Sequence, residues 1–370
     1  MRRSLEWVVK ISKLCNLRCE YCYEYDYLSS SARISLVNLE RLFRNIKNFA
    51  DQEGIFNHSF VWHGGEPTLI STETYRRIFE LQELVFDDAR FKISNSIQTN
   101  LVKLSRDWLT FLASGVFASV GVSFDMVGSL RVDTKGRCTD LRVAENIDRL
   151  RQAGVHFGVI TVLSTSNIAH AERIFDFCAE IGRSFRLLPV YREALSRPSE
   201  VRASLSEVAD ALVRVWRRWS ATDGSISVQP LTSVAYAVAK FVRTNERQYY
   251  SKRAENGVFF VDTTGDLYGE AEPYQPDFRY LNAFTDDLCS LDQSPGWTRA
   301  LAAADMRIQS VCAHCVFFGV CDGRHMAEAT QFEWDRSRVG TADACVVPRR
   351  LYEVIAASLV ATNDAQARTA

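Results

Sequence analysis

The segment WVVKISKLCNLRCEYCY, residues 7–23, decides the fold of the chain. Its first part, WVVKIS at 7–12, is a short apolar run of the length and composition typical of a buried strand. The loop that follows carries Cys15, Cys19 and Cys22. Three thiolates on one short loop can converge on one metal centre, and iron–sulfur clusters are held by such cysteine runs. We therefore expect a strand whose carboxyl end presents a metal-binding loop.

The number of ligands on this loop separates two kinds of metal centre. Three cysteines holding a four-iron cluster leave one iron open to an exogenous ligand. A tetrahedral zinc ion needs a fourth protein ligand, and residues 23–57 contain neither cysteine nor histidine. The pattern favours a cluster over the alternatives, which are an incidental zinc site and cysteines used for packing.

Outward from this segment, short apolar runs alternate with longer helical periods as far as residue 190. Further strands are predicted at 59–62, 92–99, 119–124, 156–163 and 185–190, with helices between them. Six strands alternating with helices predict an α/β fold with a parallel sheet. Right-handed crossovers would curl that sheet into a full or partial barrel, although periodicity alone does not exclude a doubly wound sheet.

The rest of the chain has a different character. Two helices with no strand between them are predicted within 191–250, followed by a hairpin that turns at Thr264-Gly265. A loop-rich, cysteine-bearing region follows, and a final helix over 347–360 precedes a polar tail. The predicted divisions are a core at 1–195, a helical connecting segment at 196–250, a cysteine-rich domain at 251–360 and a disordered tail at 361–370.

Composition limits the partners and the compartment. With 47% hydrophobic residues, 24% charged residues and a net charge of −1, nothing favours nucleic acid or an anionic membrane. No apolar stretch is long enough to span a membrane, and the N-terminus has no signal-peptide pattern. We expect a cytoplasmic protein. Because that compartment is reducing, we do not expect the ten cysteines to form structural disulfides. Those clustered at 15–22 and 312–345 indicate metal binding, whereas the isolated Cys138, Cys178 and Cys289 indicate packing.

Polar residues follow the predicted strands at the edge where ligands bind in parallel βα folds. His63-Gly64-Gly65-Glu66-Pro67 follows the second strand, and its two glycines let backbone approach a ligand closely. The third and fourth strands end in small polar side chains, at Gln98, Asn100, Ser123 and Asp125. These side chains either contact a ligand or cap loops and helices.

A second cysteine set lies near the C-terminus. Cys312, Cys315 and Cys321 form a C-x2-C-x5-C pattern, and Cys345 follows at a distance. Four thiolates suit a closed tetrahedral site, and the spacing alone does not choose between zinc and a four-iron cluster.

The C-x3-C-x2-C loop, with Tyr21 before its last cysteine, and the GGEP segment one βα unit later resemble the radical S-adenosylmethionine (SAM) superfamily. The resemblance implies a [4Fe-4S] cluster on Cys15, Cys19 and Cys22, whose open iron chelates SAM. It also implies reductive cleavage of SAM to a 5′-deoxyadenosyl radical. The resemblance further implies that the backbone of Tyr21 contacts the adenine of SAM.

The same resemblance assigns SAM contacts to the strand ends. The segment Gly64-Gly65-Glu66 is expected to bind the SAM ammonium, and the polar residues that end the third and fourth strands are expected near the ribose and substrate. Arg131 stands where related enzymes place an arginine on the SAM carboxylate, which suits the forked guanidinium. Arg137 is a close competitor for that role.

A radical SAM core followed by the C-terminal cysteines resembles the SPASM extension, which implies one auxiliary [4Fe-4S] cluster on those four residues. The full pattern has two further cysteines where this chain has Glu270 and His325, so we expect two clusters in total. In sulfatase-maturating relatives, an aspartate that acts as the catalytic base stands where this chain has Ala271. The resemblance therefore argues against placing the chain in that subgroup. Glu270 and Asp322 are the nearest candidates for a catalytic base, although each suits a solvated surface carboxylate as well.

Residues 130–137 and the closing Cys345-x3-Arg-Arg-Leu-Tyr resemble maturases of ribosomally made peptides. The resemblance implies hydrogen abstraction from a precursor peptide, giving a cyclophane-like side-chain crosslink or a dehydrogenated product, with flavodoxin or ferredoxin as electron donor. Because the chain begins almost at its first strand, we expect leader recognition by 191–250, the SPASM-like region or a separate protein. The alternatives are an epimerase or dehydrogenase of a small molecule, and a non-catalytic zinc or iron–sulfur protein.

Overall fold

The computed structural model describes residues 4–190, 200–270, 275–330 and 345–369. Its strands are β1 (Leu5–Ser12), β2 (Asn57–Gly64), β3 (Lys92–Thr99), β4 (Ser119–Ser123), β5 (Gly158–Leu163), β6 (Phe185–Pro189), β7 (Val228–Gln229), β8 (Val258–Val261) and β9 (Leu267–Tyr268). Its helices are α1 (Leu36–Glu53), α2 (Thr72–Val85), α3 (Arg106–Ala113), α4 (Asp140–Gln152), α5 (Ala171–Glu180), α6 (Leu205–Trp219), α7 (Leu231–Thr244), α8 (Lys252–Glu255), α9 (Pro295–Val311), α10 (Arg324–Ala327) and α11 (Val346–Thr369).

The strands form one sheet in the order β7-β6-β5-β4-β3-β2-β1-β8-β9. Each neighbouring pair is parallel except β8 and β9, which are antiparallel. Cys15 after β1 and Leu188 near the end of β6 line the same cavity, which shows that the sheet curves. The predicted α/β partial barrel is therefore confirmed, with its carboxyl strand ends gathered at one rim.

Helices pack on the outer face of this sheet and bury the aromatic core. The rings of Phe43, Phe60, Trp62 and Tyr75 are fully buried between α1, α2 and the first strands. On β2 these buried residues alternate with half-buried ones, as expected for a strand with one face on the core and one on the barrel interior. The inward row stays partly accessible, which leaves room for a ligand at the rim.

A buried ion pair anchors the cysteine loop to the barrel. Lys10 points inward from β1, and its Nζ lies 2.7 Å from a carboxylate oxygen of Glu24. It also donates to the Tyr23 hydroxyl at 2.7 Å. Burial alone would lower the pKa of Lys10, but Glu24 and Tyr23 raise it above its usual value. Because Tyr23 and Glu24 directly follow Cys22, this charge pair fixes the exit of the loop.

Three sequence expectations need correction. The hairpin predicted in the third division adds β8 directly to the edge of β1, so the sheet continues across the predicted boundaries. A strand too short to leave a periodic signal, β7, lies between the two helices for which no strand was expected. The predicted disordered tail at 361–370 is helical as far as Thr369, because its alanine-rich sequence has no glycine or proline to end α11.

No helix among the described residues is both long and apolar enough to cross a membrane.

We expect the substitution Lys10→Met to lower the free energy of unfolding by about 3–5 kcal/mol, because it removes the ammonium of a buried ion pair and keeps the Glu24 carboxylate. Denaturant unfolding of the anaerobically purified protein measures this. The matched control is Lys47→Met, which breaks the exposed pair with Asp87 and should leave the unfolding midpoint nearly unchanged. Equal midpoints for both variants would contradict the anchoring role of Lys10.

Candidate active site

A cavity of about 290 Å³ lies at the rim formed by the carboxyl ends of the strands. One side is built by the cysteine loop and the ends of the second to fourth strands. The lining residues on that side are Cys15, Leu17, Cys19, Tyr21, Cys22, Tyr23, Glu24, Leu28, His63, Gly64, Gly65, Glu66, Gln98, Thr99, Asn100, Ser123 and Arg131. The structure thus brings most of the sequence-predicted SAM-site residues to one place.

The two glycines after β2 let that segment lie directly against the start of the cysteine loop. A Cβ on Gly64 would come 2.2 Å from the carbonyl oxygen of Ser12, and one on Gly65 would come 2.3 Å from that of Lys13. Backbone hydrogen bonds run from Gly65 N to the Ser12 carbonyl, 2.8 Å, and from Glu66 N to the Leu14 carbonyl, 2.9 Å. Glycine is required here because no side chain fits between the two backbones.

The three loop cysteines line the cavity with their thiols in an apolar setting. Burial raises the pKa of Cys15 to about 12 and also raises the pKa of Cys19 and of Cys22. A metal centre bound here must therefore displace thiol protons. Among the described residues, no three histidine, cysteine, aspartate or glutamate side chains converge closely enough to hold a single metal ion as they stand.

Glu66 joins the end of β2 to the end of β3. Its Oε1 accepts hydrogen bonds from Thr99 Oγ1 at 2.7 Å and from the backbone and hydroxyl of Thr68, while its Oε2 accepts from Asn100 N at 2.7 Å. Both carboxylate oxygens are thus used within the protein. Asn100 in turn donates to Asn16 Oδ1 at 2.8 Å, which ties the same strand end to the cysteine loop.

A buried network crosses the cavity floor. Tyr21 donates its hydroxyl hydrogen to Asp125 and accepts from Arg131 Nη1 at 2.8 Å. Asp125 also accepts from Val162 N at 3.0 Å, and it is not among the residues that line the cavity. Burial raises the pKa of Asp125, although Arg131 opposes that shift. The Arg131 Nε is buried and has no hydrogen-bond partner within the described part of the chain.

The competitor Arg137 lies elsewhere. Its side chain is 70% exposed and pairs with Asp133 at 2.7 Å, and it does not line the cavity. The structure therefore favours Arg131 over Arg137 as the cation at this site.

Two predicted polar residues pair with each other. Gln98 donates to Ser123 Oγ at 2.8 Å, and its carboxamide lies over Gly121, where a Cβ would come 1.9 Å from the Gln98 oxygen. The absence of a side chain at 121 is what lets Gln98 reach across to β4. Both side chains face the cavity.

The opposite wall is apolar, and sequence reasoning missed it. Its residues come from β5 and from the end of β6, and they are Ile160, Val162, Leu188, Pro189 and Val190. In the structure, half-buried residues of β5 alternate with buried ones, but its sequence GVITVL is a mostly apolar run that does not show which side chains face a cavity. A cavity with one polar and one apolar wall suits a ligand with both kinds of surface.

The C-terminal cysteines form a second group. Burial raises the pKa of Cys345, and the charges of Cys321, Cys312 and Cys315 raise it further. The Tyr352 hydroxyl donates a hydrogen bond to Cys321. Cys289 lies in the 3-10 helix Leu288–Gln293, where Asp287 and Glu53 are the charged groups that act on it.

The two base candidates do not reach the cavity. Glu270 forms an ion pair with Arg324 Nη2 at 2.6 Å, and Asp322 Oδ1 accepts from Arg324 N at 2.9 Å. Glu270 and Asp322 thus share Arg324 as a partner, next to His325. Ala271 lies outside the described residues.

Comparison with known proteins identifies a family for part of the chain. The sequence model of the radical SAM superfamily matches residues 9–178. A serine-type anaerobic sulfatase-maturating enzyme of Klebsiella aerogenes is 30% identical over 216 residues, which are 56% of this chain and 52% of that enzyme. A serine-type enzyme of Bacteroides thetaiotaomicron is 24% identical over 85% of this chain and 81% of its own length. The chain spans about half the length of the first of these relatives.

Solved structures extend the likeness to the whole fold. Native anSMEcpe with bound AdoMet and Cp18Cys peptide has a TM-score of 0.77 at 20% identity, covering 98% of this chain and 99% of that one. Streptococcus suis SuiB bound to S-adenosylmethionine has a TM-score of 0.60 at 18% identity, covering 86% and 72%. At these identities the likeness shows a shared fold. Residues 9–178, which run from β1 to α5 and include the cysteine loop at the rim, match the radical SAM superfamily.

Proposed function

We propose that the chain is a radical SAM enzyme that modifies a ribosomally made peptide by oxidation, forming a side-chain crosslink or a dehydrogenated product. The observation that carries this proposal is that Cys15, Cys19 and Cys22 line one cavity together with Gly64 and Gly65. An inert metal site has no need of an adjacent cavity with polar and apolar walls.

The residues at the rim fit the cofactors of the superfamily, a [4Fe-4S] cluster and SAM. Three buried thiols supply the soft donors that an iron–sulfur cluster requires. The Gly64-Gly65 backbone offers a surface free of side chains. Among the described residues the buried Nε of Arg131 has no hydrogen-bond partner, so it could donate to a bound carboxylate. Bound together, the cluster and SAM supply a 5′-deoxyadenosyl radical that abstracts hydrogen.

The protein's own residues orient and shield that chemistry. Arg131 would hold the SAM carboxylate, with its guanidinium fixed through Tyr21 and Asp125. The apolar wall from β5 and β6 would exclude water from the reacting carbon. The four thiols of the C-terminal group would hold one auxiliary [4Fe-4S] cluster, a group that could accept one electron.

A peptide substrate is supported by the relatives, because anSMEcpe is described with a bound Cp18Cys peptide and SuiB with its precursor peptide SuiA. A crosslink removes two hydrogens from the peptide, one as an abstracted atom and one as a proton accompanied by an electron. The first electron must come from a reduced donor, for which we propose a flavodoxin or ferredoxin. The epimerase or dehydrogenase of a small molecule is the second candidate, because the cavity itself would also admit a small substrate.

We expect Arg131→Gln to raise the dissociation constant for SAM about tenfold or more, because a hydrogen bond to a charged group is lost. Equilibrium binding of SAM to the anaerobically reconstituted enzyme measures this. The matched control is Arg137→Gln, whose exposed side chain pairs only with Asp133 among the described contacts and which should bind SAM like the wild type. Weaker SAM binding in Arg137→Gln than in Arg131→Gln would assign the SAM carboxylate to Arg137 instead.

We expect a precursor peptide encoded beside the gene to lose the mass of two hydrogen atoms when it is incubated anaerobically with enzyme, SAM and reductant. One 5′-deoxyadenosine should form for each modified peptide, and the Cys19→Ala variant should give neither product. Mass spectrometry of the peptide with quantification of the nucleoside tests this. Cleavage of SAM with an unchanged peptide, together with turnover of an amino acid or sugar, would favour the second candidate.

A further inference from the structure

His63 lines the cavity beside Gly64, in a fixed tautomer. Its Nδ1 accepts a hydrogen bond from Gly64 N at 2.8 Å and lies 3.1 Å from Lys10 Nζ. A backbone amide and an ammonium can only donate, so Nδ1 carries no hydrogen and the ring hydrogen resides on Nε2. The described residues provide no hydrogen-bond partner for that Nε2–H.

Lys10 keeps the ring both neutral and oriented. Burial, followed by the charge of Lys10, lowers the pKa of His63 to about 3, while Glu24 opposes the shift. Lys10 is itself held by Glu24 and Tyr23, with its side chain only 2% exposed, so the group that contacts Nδ1 does not move freely. The ring therefore presents a fixed donor to the cavity across the pH range in which an enzyme works.

We propose that His63 is a SAM-positioning residue whose Nε2–H donates a hydrogen bond to an oxygen of SAM bound on the Gly64-Gly65 backbone. The inference rests on the proposed function and adds a residue that the sequence motifs did not assign. SAM is the occupant because His63 directly precedes the two glycines that form its proposed seat. SAM offers acceptor oxygens on its carboxylate and its ribose, and a neutral donor suits either group.

The test compares two substitutions at this position in the reconstituted holoenzyme, with iron content measured for each. His63→Phe keeps a ring and removes the donor, so the dissociation constant for SAM should rise about two- to tenfold. His63→Gln restores an N–H donor near the position of Nε2 and should bind within about twofold of the wild type. The matched control is His58→Phe, since His58 on the same strand faces the core, where it contacts Trp7.

The outcomes separate this inference from the function on which it rests. Wild-type affinity in His63→Phe, or equal weakening in His63→Phe and His63→Gln at full iron content, would overturn the role of His63 alone. Failure of the iron-loaded wild type to bind SAM would overturn the proposed function and this role together. Weaker binding in His63→Phe, with rescue by His63→Gln and an unaffected His58→Phe, supports the proposal.

Discussion

The site depends on the close approach of two backbones, the Gly64-Gly65 segment after β2 and the Ser12–Leu14 segment after β1. Two hydrogen bonds join them, and a Cβ at either glycine would fall within 2.3 Å of a carbonyl oxygen. This contact brings the cysteine loop to the rim, where the ends of the other parallel strands also arrive. A bulkier residue at either glycine would push the cysteine loop away from the strand ends. The thiols on that loop would then move away from the rest of the cavity.

Polar contacts between distant parts of the chain then fix the loop in place. Lys10 contacts Glu24 and Tyr23, which directly follow the last cysteine of the loop. Glu66 and Asn100 link the loop to the end of β3. These groups are hydrogen-bonded, and all except the half-buried Tyr23 are buried, so losing one contact is costly. Such a network holds the loop in one arrangement, which favours precise placement of a reactive species.

Much of this could be predicted from the sequence, because its signals are local. Cysteine spacing and the glycine pair are encoded within a few residues, and the strands show a short-range apolar pattern. The network of Tyr21, Asp125 and Arg131 could not be predicted, because its members are separated by up to 110 residues. The addition of β8 to the edge of β1 is likewise a non-local pairing. The apolar wall was missed because strand residues of this type also fill ordinary cores.

The two cysteine groups are expected to have separate roles, one in generating the radical and the other in accepting an electron. The most direct test is iron content and reductive SAM cleavage in three proteins: wild type, Cys19→Ala and Cys312→Ala/Cys315→Ala. The account predicts about eight irons in the wild type and about four in each variant, with 5′-deoxyadenosine formation lost only in Cys19→Ala. SAM cleavage that survives Cys19→Ala, or iron content that this substitution leaves unchanged, would contradict it.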